Sequence, residues 1–194
     1  MITVLMATYQ GRQYLEQQLD TILAQTVPVK ILISDDGSDD GTREMLDNYA
    51  GWYPEQVVLH HRTEHTGGAA GNFFWLMQEA LKDEKNEYIL FSDQDDVWEN
   101  DKVSVMLHRM KVLEKGLGSA CPILLYSDME VVDEELYEIS PSFASYTHQD
   151  PDRSSFAELL VENQVTGGAS MINRALLTRC AKAPEVCCMH DWWI

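Results

Sequence analysis

The sequence predicts an α/β protein in which helices flank a mostly parallel β-sheet. Strand-like and helix-like segments alternate through the first 118 residues, which is typical of a sheet built from β-α-β units. The chain has 194 residues, of which 45% are hydrophobic, so it can bury one core as a single domain. Polar residues directly follow three of the predicted strands, which indicates a ligand site at one edge of the sheet.

The first part of the chain contains three strand signals separated by helix signals. Residues 2–6 form a short apolar run, which predicts a buried strand. Apolar residues recur at helical spacing between 14 and 23, so they predict an amphipathic helix. Residues 29–33 predict a second strand, a helix follows through about residue 49, and a shorter strand covers 57–60.

The same alternation continues through a fourth strand. A flexible glycine loop at 67–71 leads into a helix over 73–81. Residues 87–91 then predict a buried strand, and a helix covers 101–114. Strands that alternate with helices in this order pair in parallel, because each crossover returns the chain to the same edge of the sheet.

The alternation ends after residue 118. Two short strands are predicted at 123–126 and 130–132, with a polar loop over 141–153. The remaining predicted elements are a short helix at 155–161, an extended segment at 165–172 and a helix at 175–181. No helix-stop signal follows the last apolar residues, so we expect a chain that is truncated at its C-terminal side.

The composition excludes some partners and compartments. The chain has 32 acidic and 14 basic side chains, a net charge of −18, which argues against nucleic acid as a partner. Its four cysteines are irregularly spaced, as expected in a reducing compartment. We see neither a signal peptide nor an apolar run of about 20 residues. We therefore expect a cytoplasmic protein, and peripheral attachment to the inner face of a membrane stays open.

The most informative stretch is the end of the fourth strand. Three carboxylates, those of Asp93, Asp95 and Asp96, follow the strand within four residues, and they repel one another unless a cation lies among them. Asp-x-Asp supplies hard oxygen ligands for Mg²⁺ or Mn²⁺, which usually share their coordination with substrate phosphates. Taken alone, the stretch fits an acidic turn before a helix equally well.

Two other strands also end in polar residues. Because ligands bind outside the carboxyl ends of parallel strands, we expect Tyr9, Asp36 and Asp95 to face one crevice. Tyr9 can lie along a flat base, and Asp36 can accept a hydrogen bond from a base N–H or a ribose hydroxyl. The glycine loop at 67–71 matches neither a P-loop nor a dinucleotide fingerprint. We therefore expect a metal ion at Asp95, rather than the glycine loop, to neutralise the charge of a diphosphate.

Four segments together resemble a known family. They are Met-Ala-Thr-Tyr-Gln-Gly at 6–11, Leu-Ala-Gln-Thr at 23–26, Ile-Ser-Asp-Asp-Gly-Ser-Asp-Asp-Gly-Thr at 33–42 and Ser-Asp-Gln-Asp-Asp-Val-Trp at 92–98. In this order and spacing they resemble the family-2 glycosyltransferases with the GT-A fold. With the segments 126–128, 166–168 and 190–193, the chain looks most like the bacterial rhamnosyltransferase branch, whose members build cell-surface polysaccharides.

The resemblance implies a GT-A domain in two halves, with a Rossmann-like sheet. Residues 1–118 correspond to the nucleotide-sugar-binding half, and residues 119–194 to an incomplete acceptor-side half. The implied nucleotide-binding residues are Ala7, Tyr9, Asp36, Asp93 and Asp95. Asp93 and Asp95 match the DXD motif; the resemblance implies that Asp95 binds the metal directly and that Asp93 meets ribose or metal-bound water. Asn72 matches a position near the nucleotide.

The resemblance also implies residues on the acceptor side. Asp191 lies where the family has its catalytic base, although it would otherwise be interpreted as a helix N-cap. The family usually has Glu-Asp there, and this chain has His190-Asp191, which leaves the role of His190 open. Thr166, Gly167 and Trp192 are implied at the acceptor site. Gly167 fits a strand irregularity equally well, and Trp192 a buried tryptophan pair.

The function that the resemblance implies is inverting, metal-dependent sugar transfer. The donor would be a hexose or deoxyhexose linked to UDP or dTDP, the cofactor Mg²⁺ or Mn²⁺, and the acceptor a growing or lipid-linked glycan. A nucleotidyltransferase is the first alternative, but it usually needs a basic loop after the first strand, and here that loop has only Arg12. A nucleotide-sugar-binding domain without turnover is the second.

Overall fold

The computed structural model describes residues 1–63, 67–150, 153, 155–159 and 161–194. The first half forms, in order, β1 (Ile2–Thr8), α1 (Leu15–Leu23), β2 (Lys30–Asp35), α2 (Thr42–Trp52), β3 (Val57–His61), α3 (Ala69–Leu81), β4 (Tyr88–Ser92) and α4 (Lys102–Leu117). The second half forms β5 (Leu124–Tyr126), β6 (Val131–Val132), β7 (Glu138–Ser140), α5 (Phe143–Tyr146), α6 (Phe156–Leu159), β8 (Ser170–Asn173) and α7 (Arg174–Cys180).

The main sheet has six strands in the order β3-β2-β1-β4-β8-β5. The first four are parallel, and β8 runs antiparallel to both of its neighbours. The predicted mostly parallel sheet is therefore confirmed. Thr8 pairs with Asp35 across β1 and β2, and Met6 pairs with Ser92 across β1 and β4. This register brings the carboxyl ends of the three strands to the same edge.

Helices cover both faces of the sheet, and the alternation along β1 shows how. Val4 and Met6 pack into the cluster that includes α1, α2 and α4, whereas Leu5 packs into the cluster with α3 and α7. All three side chains are fully buried. Burial of each side chain stabilises the fold by roughly 1.5–3 kcal/mol. Because helices cover both faces of the sheet, these successive side chains of β1 are all buried, and the strand is a nearly continuous apolar run. The core thus fixes the strand ends that form the site.

Two elements differ from the sequence prediction. Helix α3 begins at Ala69 rather than at 73, because within the predicted glycine loop over 67–71 only Gly67 and Gly68 adopt positive φ angles, of 89° and 111°. The segment predicted as extended over 165–172 contains a 3₁₀ turn at Gly167–Ala169 before β8 begins. Both segments therefore contain more helical turn than the sequence predicted.

The second half contains elements that its polar composition concealed. The segment predicted as a loop over 141–153 includes the short helix α5. Strand β7 was not predicted either, and it pairs with β6, which lies within the strand predicted at 130–132, as a separate two-stranded sheet. Residues 151, 152 and 160 of the segments predicted at 141–153 and 155–161 lie outside the described residues. Within the described ranges, no helix is both long and apolar enough to cross a bilayer.

Candidate active site

One cavity of about 770 Å³ lies at the carboxyl edge of β1, β2 and β4. It is lined by Ala7, Thr8, Tyr9, Asp36, Gly67, Gly68, Ala69, Asn72, Phe73, Asp93, Gln94 and Asp95. The five residues that the sequence assigned to a nucleotide are all among them. The three strand ends therefore meet around one hollow, as the order of strands and helices predicted.

Gln94 ties the end of β1 to the end of β4, and the sequence did not indicate this role. Its Oε1 accepts from the backbone N–H of Tyr9 at 2.9 Å, and its Nε2 donates to the Tyr9 carbonyl at 3.0 Å. A Cβ on Gly11 would lie 2.4 Å from Gln94 Oε1, so only glycine leaves room for this side chain. Tyr9, which is 53% exposed as a residue, is thereby held at a fixed backbone position.

The end of β2 carries two carboxylates with different surroundings. Asp35 is completely buried and accepts hydrogen bonds from Ser38 Oγ at 2.5 Å and Arg43 Nε at 2.8 Å. Burial alone raises the pKa of Asp35, but these bonds outweigh it and hold the pKa below its usual range. Asp35 therefore orders the loop, while its neighbour Asp36 lines the cavity.

Asn72, in the first turn of α3, contributes a buried amide next to the cavity. Its Nδ2 donates to the Ser34 carbonyl at 2.8 Å, which anchors the side chain to β2. Its Oδ1 is buried and has no hydrogen-bond partner among the described residues. A buried acceptor left unpaired costs about 1–3 kcal/mol, so this oxygen favours a ligand that donates to it.

At the end of β4, Asp93 and Asp95 line the cavity, whereas Asp96 is not among the lining residues. Partial desolvation, with repulsion from the carboxylates of Asp96, Asp95 and Asp191, raises the pKa of Asp93 to about 7. Because solvent reaches Asp93 through the cavity, water screens the repulsion between the carboxylates and limits the rise in the pKa of Asp93. The pKa of Asp96 is raised by burial as well, with Lys102 opposing it. Negative charge thus accumulates at this strand end.

Lys102 is the cation that sequence analysis missed. Its Nζ lies 4.0 Å from the centroid of the Trp98 ring and donates to the Gly168 carbonyl at 3.0 Å. Burial lowers the pKa of Lys102 to about 8, although Asp96 and Asp93 favour its charged form. One signal in the sequence could have revealed it, because a lysine at the start of a helix opposes the helix dipole and needs a compensating anion.

The carboxylates at the end of β4 fit a metal ion that is shared with a ligand. Across the described ranges, no group of three His, Cys, Asp or Glu side chains is arranged to hold a metal by itself. Asp93 and Asp95 nevertheless present hard oxygens into the cavity. Mg²⁺ is commonly bound by one or two carboxylates together with water and phosphate oxygens. The donor set therefore fits an open site rather than a closed one.

Asp191 lies in a 3₁₀ turn at His190–Trp192, close to Asp93 but outside the cavity lining. The N-cap of that turn is Met189, so the interpretation of Asp191 as an N-cap is wrong. Its Oδ2 accepts from the Gly167 N–H at 3.3 Å, and its Oδ1 is buried without a partner among the described residues. Burial raises the pKa of Asp191, and hydrogen bonds only partly oppose this.

His190 is a buried neutral residue. Its ring centroid lies 4.0 Å from that of Phe73 and 4.9 Å from that of Phe91, and the residue is 2% exposed. Burial lowers the pKa of His190 to about 4. Among the described residues neither ring nitrogen has a hydrogen-bond partner. The side chain therefore anchors the turn that carries Asp191 in the core and is poorly suited to proton transfer.

The three predicted acceptor residues do not share one pocket. Thr166 lines a second cavity of about 280 Å³, together with residues such as Tyr126, Asp128 and Gln164. Gly167 is buried against the turn at His190–Trp192 instead. Trp192 is 54% exposed, so the interpretation as a buried pair is wrong for it. Their acceptor roles stay predictions.

Comparisons with known proteins identify the family of the chain. The family model described as Glycosyl transferase family 2 matches residues 3–179. The dTDP-rhamnosyl transferase RfbG of Shigella flexneri is 27% identical over 97% of this chain and 63% of its own length. The putative teichuronic acid biosynthesis glycosyltransferase TuaG of Bacillus subtilis is 31% identical over 89% of this chain and 66% of its own.

Solved structures give the same fold. Staphylococcus aureus TarS 1–349 superposes with a TM-score of 0.62 at 16% identity, over 98% of this chain and 52% of that one. The mannosyltransferase PcManGT from Pyrobaculum calidifontis, in complex with GDP-Man and Mn²⁺, has a TM-score of 0.58 at 20% identity, over 98% and 49%. The chain therefore spans about half to two thirds of the length of these proteins.

Proposed function

Because the chain belongs to glycosyl transferase family 2, we propose that it transfers a sugar from a nucleotide-sugar to a glycan acceptor. The reaction is inverting and depends on a divalent metal ion. One observation carries this proposal: Tyr9, Asp36, Asp93 and Asp95 all line the same cavity at the sheet edge. A flat base and a charged diphosphate thus find complementary groups in one hollow.

The nucleotide base binds between the ends of β1 and β2. Tyr9 offers an exposed ring face for stacking, and Asp36 accepts from the N–H of a uracil or thymine ring. Asn72 Oδ1, unpaired among the described residues, is available to a second donor of the nucleotide. RfbG is named a dTDP-rhamnosyl transferase, which supports a donor linked to dTDP or UDP.

Asp95, with Asp93 beside it, would hold the metal ion, Mg²⁺ or Mn²⁺. When bound, such an ion supplies Lewis-acid stabilisation of the departing nucleoside diphosphate. The structurally similar PcManGT was solved in complex with GDP-Man and Mn²⁺, which supports a divalent metal ion as cofactor here. The raised pKa of Asp93 supports it too, because the protein alone does not balance the charge of these carboxylates.

Asp191 acts as the general base. It takes the proton from an acceptor hydroxyl while that oxygen forms a bond to the anomeric carbon, and the bond from this carbon to the phosphate oxygen breaks. The bonding electrons leave with the nucleoside diphosphate, and the configuration inverts because the acceptor oxygen attacks the face of the anomeric carbon opposite the departing diphosphate. Burial raises the pKa of Asp191, which makes it a stronger base than an exposed aspartate. The Gly167 N–H keeps one of its oxygens in place.

The names of two relatives support a proposal for the acceptor, and the cysteines support one for the compartment. TuaG is named for teichuronic acid biosynthesis and RfbG for rhamnosyl transfer, so we assign this chain to cell-surface polysaccharide synthesis with a growing or lipid-linked glycan as acceptor. All four cysteines are free thiols, consistent with synthesis in the cytoplasm. The residues that touch the acceptor are proposed to include Thr166, Gly167 and Trp192.

The test is a melting-temperature screen of UDP- and dTDP-sugars with and without Mn²⁺, followed by an assay for released nucleoside diphosphate. A ligand that binds only the native state raises the melting temperature by mass action. Asp95→Ala should abolish the metal-dependent part of the shift. Asp191→Asn should retain the shift and lower turnover by roughly 10²–10⁴-fold, because the base is lost.

Each outcome separates the alternatives. A metal-dependent shift without release of product would indicate a binding domain without turnover. Turnover of Asp191→Asn near the wild-type rate would contradict the assignment of the base. Glu84→Gln, which changes an exposed acid remote from the cavity, serves as the matched control and should leave both readouts unchanged.

A further inference from the structure

Two adjacent glycines separate the acids at the end of β4 from Asp191. A Cβ on Gly168 would lie 2.8 Å from Asp93 Oδ2 and 2.9 Å from Asp96 Oδ2. A Cβ on Gly167 would lie 2.8 Å from His190 Nε2. Neither glycine has a positive φ angle, so space rather than backbone conformation requires glycine here.

The backbone of this turn is held from several sides. Gly167 donates its N–H to Asp191, and its carbonyl accepts from Ser170 Oγ at 2.7 Å. The Gly168 carbonyl accepts from Lys102 Nζ at 3.0 Å, which links the turn to the start of α4. Both glycines are buried. The turn is therefore a fixed spacer between two loops that are far apart in the chain.

We infer that Gly167 and Gly168, with Lys102, are positioning residues that set the separation between the metal-binding carboxylates and the base. The inference rests on the proposed function, because it takes its roles for Asp93 and Asp191 from there. A methyl group at 168 displaces a carboxylate, which can rotate. A methyl group at 167 meets a ring packed between Phe73 and Phe91, so the turn carrying Asp191 must shift instead.

Alanine substitutions at the two glycines should therefore change different measured parameters. Gly168→Ala should weaken Mn²⁺ binding in the presence of UDP by roughly 10–100-fold, the usual cost of disturbing groups around a metal ligand. Gly167→Ala should leave Mn²⁺ affinity and the donor KM unchanged and lower kcat by roughly 10²-fold, because the base is misplaced. Mn²⁺ affinity is measured by electron paramagnetic resonance of free Mn²⁺, and kcat by release of nucleoside diphosphate.

Gly116→Ala is the matched control. Gly116 lies in α4 and is exposed, and among the described residues no atom outside its own helix backbone would lie within 4 Å of an added methyl group. This variant should therefore match the wild type in both readouts. The inference is overturned if Gly167→Ala and Gly168→Ala lose the same parameter, or if both match Gly116→Ala. A wild type without metal-dependent binding or turnover would instead contradict the proposed function.

A measurement on the wild type covers the case in which an alanine variant does not fold. Amide signals of Gly167 and Gly168 are followed by NMR as Mg²⁺ and UDP are added. Both signals should shift together with that of Asp95, whereas the signal of Gly116 should stay in place. Signals of Gly167 and Gly168 that do not move when that of Asp95 does would overturn the inference.

Discussion

The ends of β2 and β4 lie on either side of β1, and both are acidic, but the pKa values of Asp35 and Asp93 are shifted in opposite directions. At the end of β2, Asp35 is closed from solvent and held by Thr8, Ser38 and Arg43. At the end of β4, Asp93 opens onto the cavity, and among the described residues no hydrogen bond reaches its carboxylate. The pKa of Asp35 is lowered by its hydrogen bonds despite burial, whereas the pKa of Asp93 is raised to about 7.

This difference distinguishes an acid that stabilises the fold from one that is available to a ligand. A carboxylate that is hydrogen-bonded in the native state contributes to stability, because its charged form is favoured there. Carboxylates that only repel one another lower stability until a cation binds. The comparison therefore predicts that removal of the two acids has opposite consequences for folding and for binding.

The largest expected effect is that of Asp35→Ala. Its removal leaves the Arg43 guanidinium and several donors without their buried partner, and breaking such a pair costs about 3–5 kcal/mol of unfolding free energy. Urea denaturation at neutral pH measures the loss. Arg43→Met, which removes only the partly exposed partner, should cost less. If Asp35→Ala were as stable as the wild type, the claim that Asp35 stabilises the fold would be contradicted.

His190 extends the comparison to a buried group with no polar partner among the described residues. Its pKa of about 4 in the folded protein lies below the ordinary 6.5, so the unfolded chain binds the proton first as pH falls. Its contribution is fully present above pH 6.5 and is lost progressively between pH 6.5 and 4, by up to about 3 kcal/mol.

His190→Phe isolates this contribution, because phenylalanine keeps a ring between Phe73 and Phe91 and cannot titrate. Urea denaturation of both proteins at pH 7 and pH 5 should show a smaller pH dependence for the variant. A variant with the wild-type slope would place the responsible proton elsewhere.

The smallest expected effect on stability is that of Asp93→Asn without metal. Relief of repulsion from Asp95 and Asp96 is partly offset by lost attraction to Lys102, so the unfolding free energy should rise by a few tenths of a kcal/mol. With Mn²⁺ and UDP present, the order should reverse, because only the wild type gains from binding. A destabilised metal-free variant would show that Asp93 is structural, like Asp35.

The sequence predicted the first half of the molecule well because its signals are local. The four parallel strands and their helices follow from apolar runs and helical spacing, and the order of the elements brings Tyr9, Asp36 and Asp95 to one edge. The functional roles assigned to these residues stay predictions, since only their positions are given by the fold.

The features that were missed depend on tertiary contacts. Gln94 interacts with Tyr9, which is 85 positions away in the chain, and Lys102 interacts with Gly168, which is 66 positions away. No local sequence pattern reveals contacts over such separations. Strand β7 has three residues, too few for a periodic signal, whereas its partner β6 lies within the strand predicted at 130–132. In the same way, the requirement for glycine at 168 comes from Asp93 and Asp96 on another loop.

The most direct test of the central claim uses Mn²⁺ as a paramagnetic probe in NMR, with UDP or dTDP bound. The amide signals of Asp93 and Asp95 should disappear first and those of Tyr9 and Asp36 should weaken next. The signal of Glu84, at the opposite edge of the sheet, should be unaffected. If signals around Asp95 persisted at saturating Mn²⁺ and nucleotide while signals elsewhere vanished, the shared site would be contradicted.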